Sequence, residues 1–414
     1  MSRQAPFVVG LVSGSHVVNH AYLLLFAPAF PLLREEFGVS IAALGLAVGV
    51  ANVVVTAGQL PLGYVSDSYS HAAVLVGSLS VGTVGAGLAA VAPSYEALLG
   101  AAAVMGAGVA GHHPAHYPLI SAAVPDAYRS RAYSVHGFAG ALGLALPFAA
   151  VPAAVALGYG WRRGFGAVAL LGLCYTALTV LAVGRIDPGI ARAGAEARED
   201  DPDAPGAASG GRVRSLAKRF RSYVRILVAV PLIPLLTALW FVNSAAVWGV
   251  RTYAATVLDA GYGLDSGTAS VVASAMLVVG AVVLLGGGHL GDQVGPVPLL
   301  YAGYGSLVVL AAALASSLLP LVAAVGVVLM LAATVDLSRP ARATLTDLAS
   351  ERRDVGKNFA LMTVGISAGG AVAPPFYGYV IDVASVEAAF LGIAVTAGVA
   401  LALSVAVARS VDDD

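Results

Sequence analysis

Long apolar stretches without a charged residue are the feature that most limits what this chain can fold into. Residues 74–92 and 297–318 are two such stretches. A helix needs about 20 apolar residues to cross a hydrocarbon core about 30 Å thick. Only 11% of the residues are charged, against roughly 25% in soluble domains. The sequence therefore predicts an all-α membrane protein.

Twelve transmembrane helices are predicted, in two pseudo-symmetric six-helix bundles. The predicted spans are 7–33, 40–62, 72–92, 95–124, 132–156, 164–185, 226–252, 265–290, 297–318, 320–349, 357–382 and 386–408. This divides the chain into an N-terminal bundle (1–185), a linker (186–225) and a C-terminal bundle (226–414). The basic, partly apolar segment Arg212–Arg225 is either a helix lying on an anionic membrane surface or a solvated linker.

Basic residues are distributed unevenly between the two sides of the predicted bundle. One side holds Arg129, Arg131, Arg185, Arg409 and the basic residues of the linker, whereas only Arg34, Arg162, Arg163 and Arg251 fall on the other. The positive-inside rule then predicts a multi-pass protein of the cell membrane with both termini in the cytoplasm.

The two halves repeat one another. The matching pairs are Gly63 with Gly288 and Asp67 with Asp292, each 225 residues apart, and Pro114 with Pro340 and Arg131 with Lys357, each 226 apart. Two parallel six-helix repeats joined by a linker are typical of a transporter.

The motifs at these positions resemble those of the major facilitator superfamily, over the whole chain. Its signature after the second helix is matched by GYVSD at 63–67 and GHLGDQVG at 288–295. Within the superfamily, the stretches SHVVNHAY (15–22), PLLREEFGVS (31–40), GHHPAHYPLISA (111–122) and GFAGALGLALP (137–147) are similar to the fosmidomycin-resistance group. Two departures are His20, where that group usually has Asp, and the missing basic tail after Asp67. The resemblance implies helices 1, 4, 7 and 10 around a central cavity.

Ionisable side chains inside a bilayer are costly and mark functional sites. Five of the eight histidines lie in two spans: His16 and His20 in the first, and His112, His113 and His116 in the fourth. Spacings of four place side chains on one helical face. At 1.5 Å per residue the two sets lie at similar depth, about 15 Å from the same end.

The tenth span adds a third group, Asp336, Arg339 and Arg342. Three interpretations stay open. In the first, the arginines bind an anionic or polar substrate while the histidines and Asp336 carry a coupling proton. In the second, Asp336–Arg339 is an internal pair and the histidines are structural. In the third, imidazoles from two helices bind a transition metal. Asn19, Trp240 and Asn243 are predicted to line the substrate site.

Gly63, Asp67, Gly288 and Asp292 are predicted gating residues. Each carboxylate is expected to begin the helix after an inner loop and cap its N-terminus. The resemblance implies in addition that the two carboxylates latch the halves together in the outward-facing state.

The function predicted from these observations is secondary active transport of a small polar or anionic organic solute or drug, proton-coupled and favouring efflux. The alternatives are a transition-metal or metal-complex transporter and a transporter-like receptor. A membrane enzyme has no motif in its support, no cofactor is predicted, and no nucleotide-binding motif is present. The net charge of -1 gives no basis for nucleic-acid binding, and the single Cys174 excludes an intramolecular disulfide. The expected partners are the solute, protons and membrane lipids, and the chain is expected to be a monomer.

Overall fold

The computed structural model describes residues 4–191, 232–348 and 355–412, and in these parts all the regular secondary structure is helical. The helices are α1 (Gln4–Leu23), α2 (Phe30–Phe37), α3 (Ile41–Ser68), α4 (His71–Ala90), α5 (Tyr95–Ala123), α6 (Asp126–Ala156), α7 (Gly160–Val183), α8 (Pro188–Ala191), α9 (Leu232–Thr256), α10 (Ser266–Val294), α11 (Pro296–Ala315), α12 (Leu321–Leu348), α13 (Val355–Val383) and α14 (Val386–Asp412). Most of the predicted linker lies outside the described residues.

Ten helices of the described parts are long and apolar enough to cross a membrane. The two further long helices are α5, which holds three histidines, and α9. Together they give the twelve predicted spans, and the predicted all-α fold is confirmed. The first span differs from its prediction because α1 is followed by a 3₁₀ turn at Ala27–Ala29 and by α2, so that the helix is interrupted at Pro28.

Serine and aspartate side chains start several of the helices. Ser40, Ser70 and Ser94 each accept a hydrogen bond from the backbone N–H three residues on, at 3.1–3.3 Å. Asp265 does the same for α10, at 3.0 Å from Thr268 N. These bonds satisfy amides that have no partner within the helix. The bonds from Thr268 hold the pKa of Asp265 below its usual value.

The two halves meet along two pairs of helices, α3 with α13 and α6 with α10. A Cβ atom on Gly49 of α3 would lie 2.6 Å from the Ala371 carbonyl oxygen of α13. In the second pair, the Ser274 hydroxyl of α10 donates to the Ala145 carbonyl of α6, at 3.0 Å. Small residues let the backbones approach closely, which is how helices associate in lipid.

We call the side where α7 ends and α9 begins the linker side, and the opposite side the far side. On the far side, both carboxylate oxygens of Asp382, at the end of α13, accept from the first amides of α3, Ile41 N at 3.0 Å and Ala42 N at 2.7 Å. The α3 helix is largely buried over its far half, whereas Leu60 in its linker-side half is 56% exposed. Among the described residues of α3, contact with the other half therefore lies mainly towards the far side.

Candidate functional site

Six histidines from three helices of the N-terminal half form one cluster. The cluster comprises His16 and His20 on α1, His112, His113 and His116 on α5, and His136 on α6, with ring centroids 3.9–6.4 Å apart in the contacting pairs. The structure brings together the five predicted histidines. The sixth, His136, was missed because it stands alone in its span without a partner at helical spacing. Four members are buried, and His20 and His113 are partly exposed.

Glycines of α6 make room for this cluster. A Cβ on Gly140 would lie 2.7 Å from His16 Nδ1, and one on Gly143 would lie 2.9 Å from His20 Cβ. Gly140 and Gly143, three residues apart, thus present a face without side chains to α1. The close approach brings the backbone carbonyls of α6 within hydrogen-bonding distance of the histidine rings.

The His16 and His20 rings face each other across one short contact. Their Nε2 atoms lie 2.8 Å apart. The His16 Nδ1–H donates to the His136 carbonyl oxygen at 2.8 Å, and the His20 Nδ1–H donates to the Gly140 carbonyl oxygen at 3.0 Å. Because a carbonyl oxygen can only accept, both Nδ1 atoms must carry a proton.

A second set of contacts determines which ring nitrogens of His112 and His116 on α5 carry a proton. The Ser15 hydroxyl donates to the Val12 carbonyl at 2.7 Å, so that it must accept from His112 Nε2–H, at 2.9 Å. If His112 is neutral, its Nδ1 is an acceptor, and His116 Nδ1–H donates to it at 2.8 Å. Since His116 Nδ1 holds the proton, its Nε2 is unprotonated and can only accept a hydrogen bond. In that neutral state, the two histidines form one ordered chain of hydrogen bonds.

Three nitrogens of the cluster, one each from His16, His20 and His113, lie within 4.8 Å of one another and are close enough to hold a metal ion. Tetrahedral zinc, with Zn–N bonds of about 2.0–2.1 Å, would hold its nitrogens roughly 3.3 Å apart. The separation of 2.8 Å between the two Nε2 atoms is shorter than that and matches a hydrogen bond.

In the C-terminal half, Arg342 of α12 is buried. Its Nη1 donates to Asn243 Oδ1 at 2.6 Å, to Ser338 Oγ at 2.8 Å and to the Tyr304 hydroxyl at 3.0 Å. The guanidinium carbon lies 4.7 Å from the centre of the Trp240 ring. The structure thus brings together the predicted residues Trp240, Asn243 and Arg342. The electrostatic attraction of a cation to an aromatic face favours this arrangement.

Asp336 forms an ion pair with Arg251. The sequence predicts Arg251 at the outer end of its span and offers Arg339 as an internal partner of Asp336. Arg251 is instead buried on α9, with Nη2 at 3.1 Å from Asp336 Oδ1. A Cβ on Gly280 of α10 would lie 2.6 Å from Asp336 Oδ2, so that this glycine makes room for the carboxylate. The α9 helix extends to Thr256, which moves Arg251 inside the fold.

The prediction that Asp67 and Asp292 begin helices is wrong. Asp67 lies in the last turn of α3, and Asp292 lies in the last turn of α10. The helix after Asp67 begins at His71 and is capped by Ser70, whose hydroxyl reaches Ala73 N. A carboxylate at the C-terminal end of a helix gains nothing from the helix dipole, so that capping does not explain the Gly63–Asp67 motif.

Several predicted site residues are not seen in contact with the histidine cluster or with the residues around Arg342. Asn19 is fully buried, and neither of its amide atoms has a hydrogen-bond partner among the described residues. The side chains of Arg339 and Asp292 and the surroundings of Gly288 lie outside what the structure describes. The His cluster and the Arg342 group belong to different halves, and each is packed within its own half.

A family model described as the Major Facilitator Superfamily matches residues 12–338. The chain belongs to this superfamily. Its fold matches a bacterial homologue of the human lysosomal transporter Spinster in an inward-facing, unoccupied conformation, with a TM-score of 0.76 and 15% identity over 99% of this chain and 98% of that one. The occupied, inward-facing form of that homologue gives 0.74 and 14%, with the same coverage. No curated protein matches in sequence. Family and fold point to a secondary transporter and not to an enzyme.

Proposed function

We propose that this superfamily member transports a small anionic or strongly polar organic solute in exchange for protons. The observation that carries the proposal is the environment of Arg342. An ionisable side chain buried in a membrane protein is costly and is a candidate binding group. Here Nη1 donates to uncharged oxygen atoms of Asn243, Tyr304 and Ser338, and the guanidinium carbon lies 4.7 Å from the centre of the Trp240 ring.

The planar guanidinium is suited to a carboxylate or phosphate because its donors match two acceptor oxygens at once. The Trp240 ring restricts the plane of Arg342, and Asn243 and Tyr304 hold Nη1 in place. A group held in this way is preorganised, so that less side-chain entropy is lost when an anion binds. Asn19 and Arg339 are proposed as further contributors to substrate binding.

Protons are the proposed coupling ion because the N-terminal half concentrates titratable imidazoles in its interior. Histidine is the side chain whose unperturbed pKa allows it to exchange protons near neutral pH. The six-histidine cluster of α1, α5 and α6, together with Asp336, supplies the proposed proton-binding groups. Gly63, Asp67, Gly288 and Asp292 are proposed to act in gating between the halves.

Export is the proposed direction, and it rests on the resemblance of the N-terminal half to the fosmidomycin-resistance group. The excess of basic residues on the linker side supports a cell-membrane protein with that side in the cytoplasm. We propose the bundle limits 1–185 and 226–414, a cytoplasmic linker at 186–225, and a monomer as the working unit. Reporter fusions would test the orientation: residues 190–220 should be cytoplasmic and Gly158–Arg163 external, and the reverse result would reject it.

Thermal unfolding of the purified protein tests the substrate class. A ligand that binds only the folded state raises the apparent stability by about 2.7 kcal/mol at one hundred times its Kd. A panel of matched organic anions, cations and neutral solutes should contain at least one anion that raises Tm, and the neutral and cationic analogues of that anion should have less effect.

The matched variants are Arg342→Lys and Arg129→Lys. Lysine keeps the charge at position 342 but loses the planar donors, so that the Kd of the anion should rise by at least about tenfold, which corresponds to about 1.4 kcal/mol. Arg129, which donates to the Ser121 carbonyl near the end of α5, is the control and should leave Kd unchanged. Unaltered anion binding in Arg342→Lys, or stabilisation by cations alone, would reject the proposed substrate class.

A further inference from the structure

The contact between His16 and His20 cannot be completed with two neutral imidazoles. A neutral imidazole carries one N–H, and in both residues that proton is required at Nδ1 by a carbonyl acceptor. Both Nε2 atoms would then present a lone pair to each other across 2.8 Å. One additional proton converts this repulsion into an N–H···N hydrogen bond of ordinary length.

We infer that His16 and His20 share one excess proton between their Nε2 atoms and form a single proton-binding site with a net charge of +1. The inference rests on the proposed proton coupling and names the residues that bind the proton. It is a statement about the pair, because two strongly interacting groups release their protons in steps that belong to neither residue alone.

The surroundings of the pair favour one shared proton. The carbonyl oxygens of His136 and Gly140 accept at the two outer ends, so that their dipoles stabilise the positive charge. The His136 ring is stacked on the His16 ring, with centroids 4.0 Å apart. A second excess proton has no place, because both Nε2 atoms already share one bond.

The other titratable groups that face the pair are His112, His113 and His116 on α5, His136 on α6, and Tyr175 on α7, whose ring lies against Gly14. The bonds of His112 and His116 are satisfied when both are neutral, as described above. Charging either of them would oppose the proton on the pair by like-charge repulsion. The same repulsion applies to His113 and His136, so that a proton on the pair opposes a second charge within the cluster.

The position of the pair also suits exchange with solution. His16 is 4% exposed, whereas His20 is partly exposed. A proton can therefore reach His20 first and then be shared with the buried ring. Loss of the proton leaves two facing lone pairs, which should drive the rings apart and loosen the contact of α1 with Gly140 and Gly143 of α6. Proton release is in this way linked to a movement between helices.

Nuclear magnetic resonance of the full-length protein labelled with ¹⁵N-histidine tests the inference directly. A shared proton transmits a ¹⁵N–¹⁵N coupling through the hydrogen bond, and we expect one such coupling between the two Nε2 atoms. It should disappear in His20→Gln, which retains an amide but cannot hold an excess proton, and as the pH is raised. It should remain in the control His71→Gln, which removes a histidine bonded to Ser66 outside the cluster.

Two results would overturn the inference. One is a wild-type spectrum, at every pH where the protein is folded, in which both Nε2 atoms are unprotonated and uncoupled. The other is one equivalent of tightly bound transition metal in the purified protein that is lost in His20→Gln, because the pair would then be a metal site. The wild-type spectrum decides the matter even if the variant fails to fold.

A transport measurement separates this inference from the proposed function. In vesicles, one pH unit should accumulate a solute exchanged for one proton about tenfold, and His20→Gln should reduce this ratio to one. Wild-type transport that ignores the pH gradient would reject the proposed function even if the coupling were observed. Gradient-driven transport that persists in His20→Gln would reject the pair as the coupling site.

Discussion

The carboxylate of Asp382 offers the sharpest test of how the two halves separate. It belongs to the C-terminal half but accepts from the first two amides of α3 in the N-terminal half, at 3.0 and 2.7 Å. If the transporter opens towards the far side, α3 and α13 must separate there and both bonds must break. Removing the carboxylate should therefore favour the state that is open on the far side.

The expected magnitude follows from the two contributions that the carboxylate makes. A capping side chain contributes about 0.5–2 kcal/mol, and the attraction of an exposed negative charge to a helix N-terminus adds about 0.3–1 kcal/mol. Asp382 is exposed, so that solvent screening keeps the total near 1–2 kcal/mol. We expect Asp382→Ala to raise the ratio of far-side-open to far-side-closed molecules by about 5- to 30-fold.

Cysteine labelling measures this ratio. Cys174 is the only cysteine and can be replaced by serine, after which a single cysteine replaces Val48, which is fully buried in the far half of α3. Its rate of modification by a reagent added on the far side is proportional to the open fraction, provided that opening is faster than labelling. The rate should increase by the same 5- to 30-fold factor in Asp382→Ala.

The control is Asp265→Ala. Asp265 also caps a helix on the far side, but its partner Thr268 belongs to the same half. Its removal should lower the stability of the protein without raising the labelling rate. Equal labelling rates in the wild type and Asp382→Ala, or equal increases in both variants, would refute the assignment of Asp382 to a contact that must break during opening.

Two further results are expected from the glycine surface of α6 and the ion pair of α12. Gly140→Ala should lower the free energy of unfolding by about 1–3 kcal/mol, because the new methyl group would lie 2.7 Å from His16 Nδ1. The control is Gly77→Ala, where a Cβ meets nothing within 4 Å, and it should leave the free energy of unfolding unchanged or slightly raised. Equal losses of stability in the two variants, measured by chemical denaturation, would contradict this packing. Asp336→Asn should cost about 3–5 kcal/mol because it removes the negative charge that faces the buried Arg251 guanidinium. The double variant with Arg251→Gln should recover part of this loss, and a double variant no more stable than the single one would show that the charge of Arg251 is not the cause.

The general architecture could be predicted from the sequence because its causes are local. Apolar length determines a span, and the recurrence of Gly63 and Asp67 at Gly288 and Asp292 reveals the repeat. The five histidines of α1 and α5 could be anticipated as one group from spacing and depth alone. The family model that matches residues 12–338 agrees with the predicted superfamily.

The predictions that were wrong or incomplete depend on contacts between distant segments or on the exact end of a helix. Arg251 and Asp336 are 85 residues apart, and no periodicity relates them. His136 joins the cluster only because the glycines of α6 admit α1, which spacing within one helix cannot reveal. The capping role of Asp67 failed because α3 continues to Ser68 and Ser70 supplies the cap of α4.

Solute movement in vesicles under an imposed pH gradient tests proton-coupled transport most directly. The protein would be reconstituted with an organic anion that raises its Tm, and the accumulation of that anion would be followed with and without a protonophore. We expect accumulation that follows the pH gradient, is abolished by the protonophore and needs no ATP. Accumulation that is insensitive to the protonophore and instead follows a sodium gradient would contradict proton coupling.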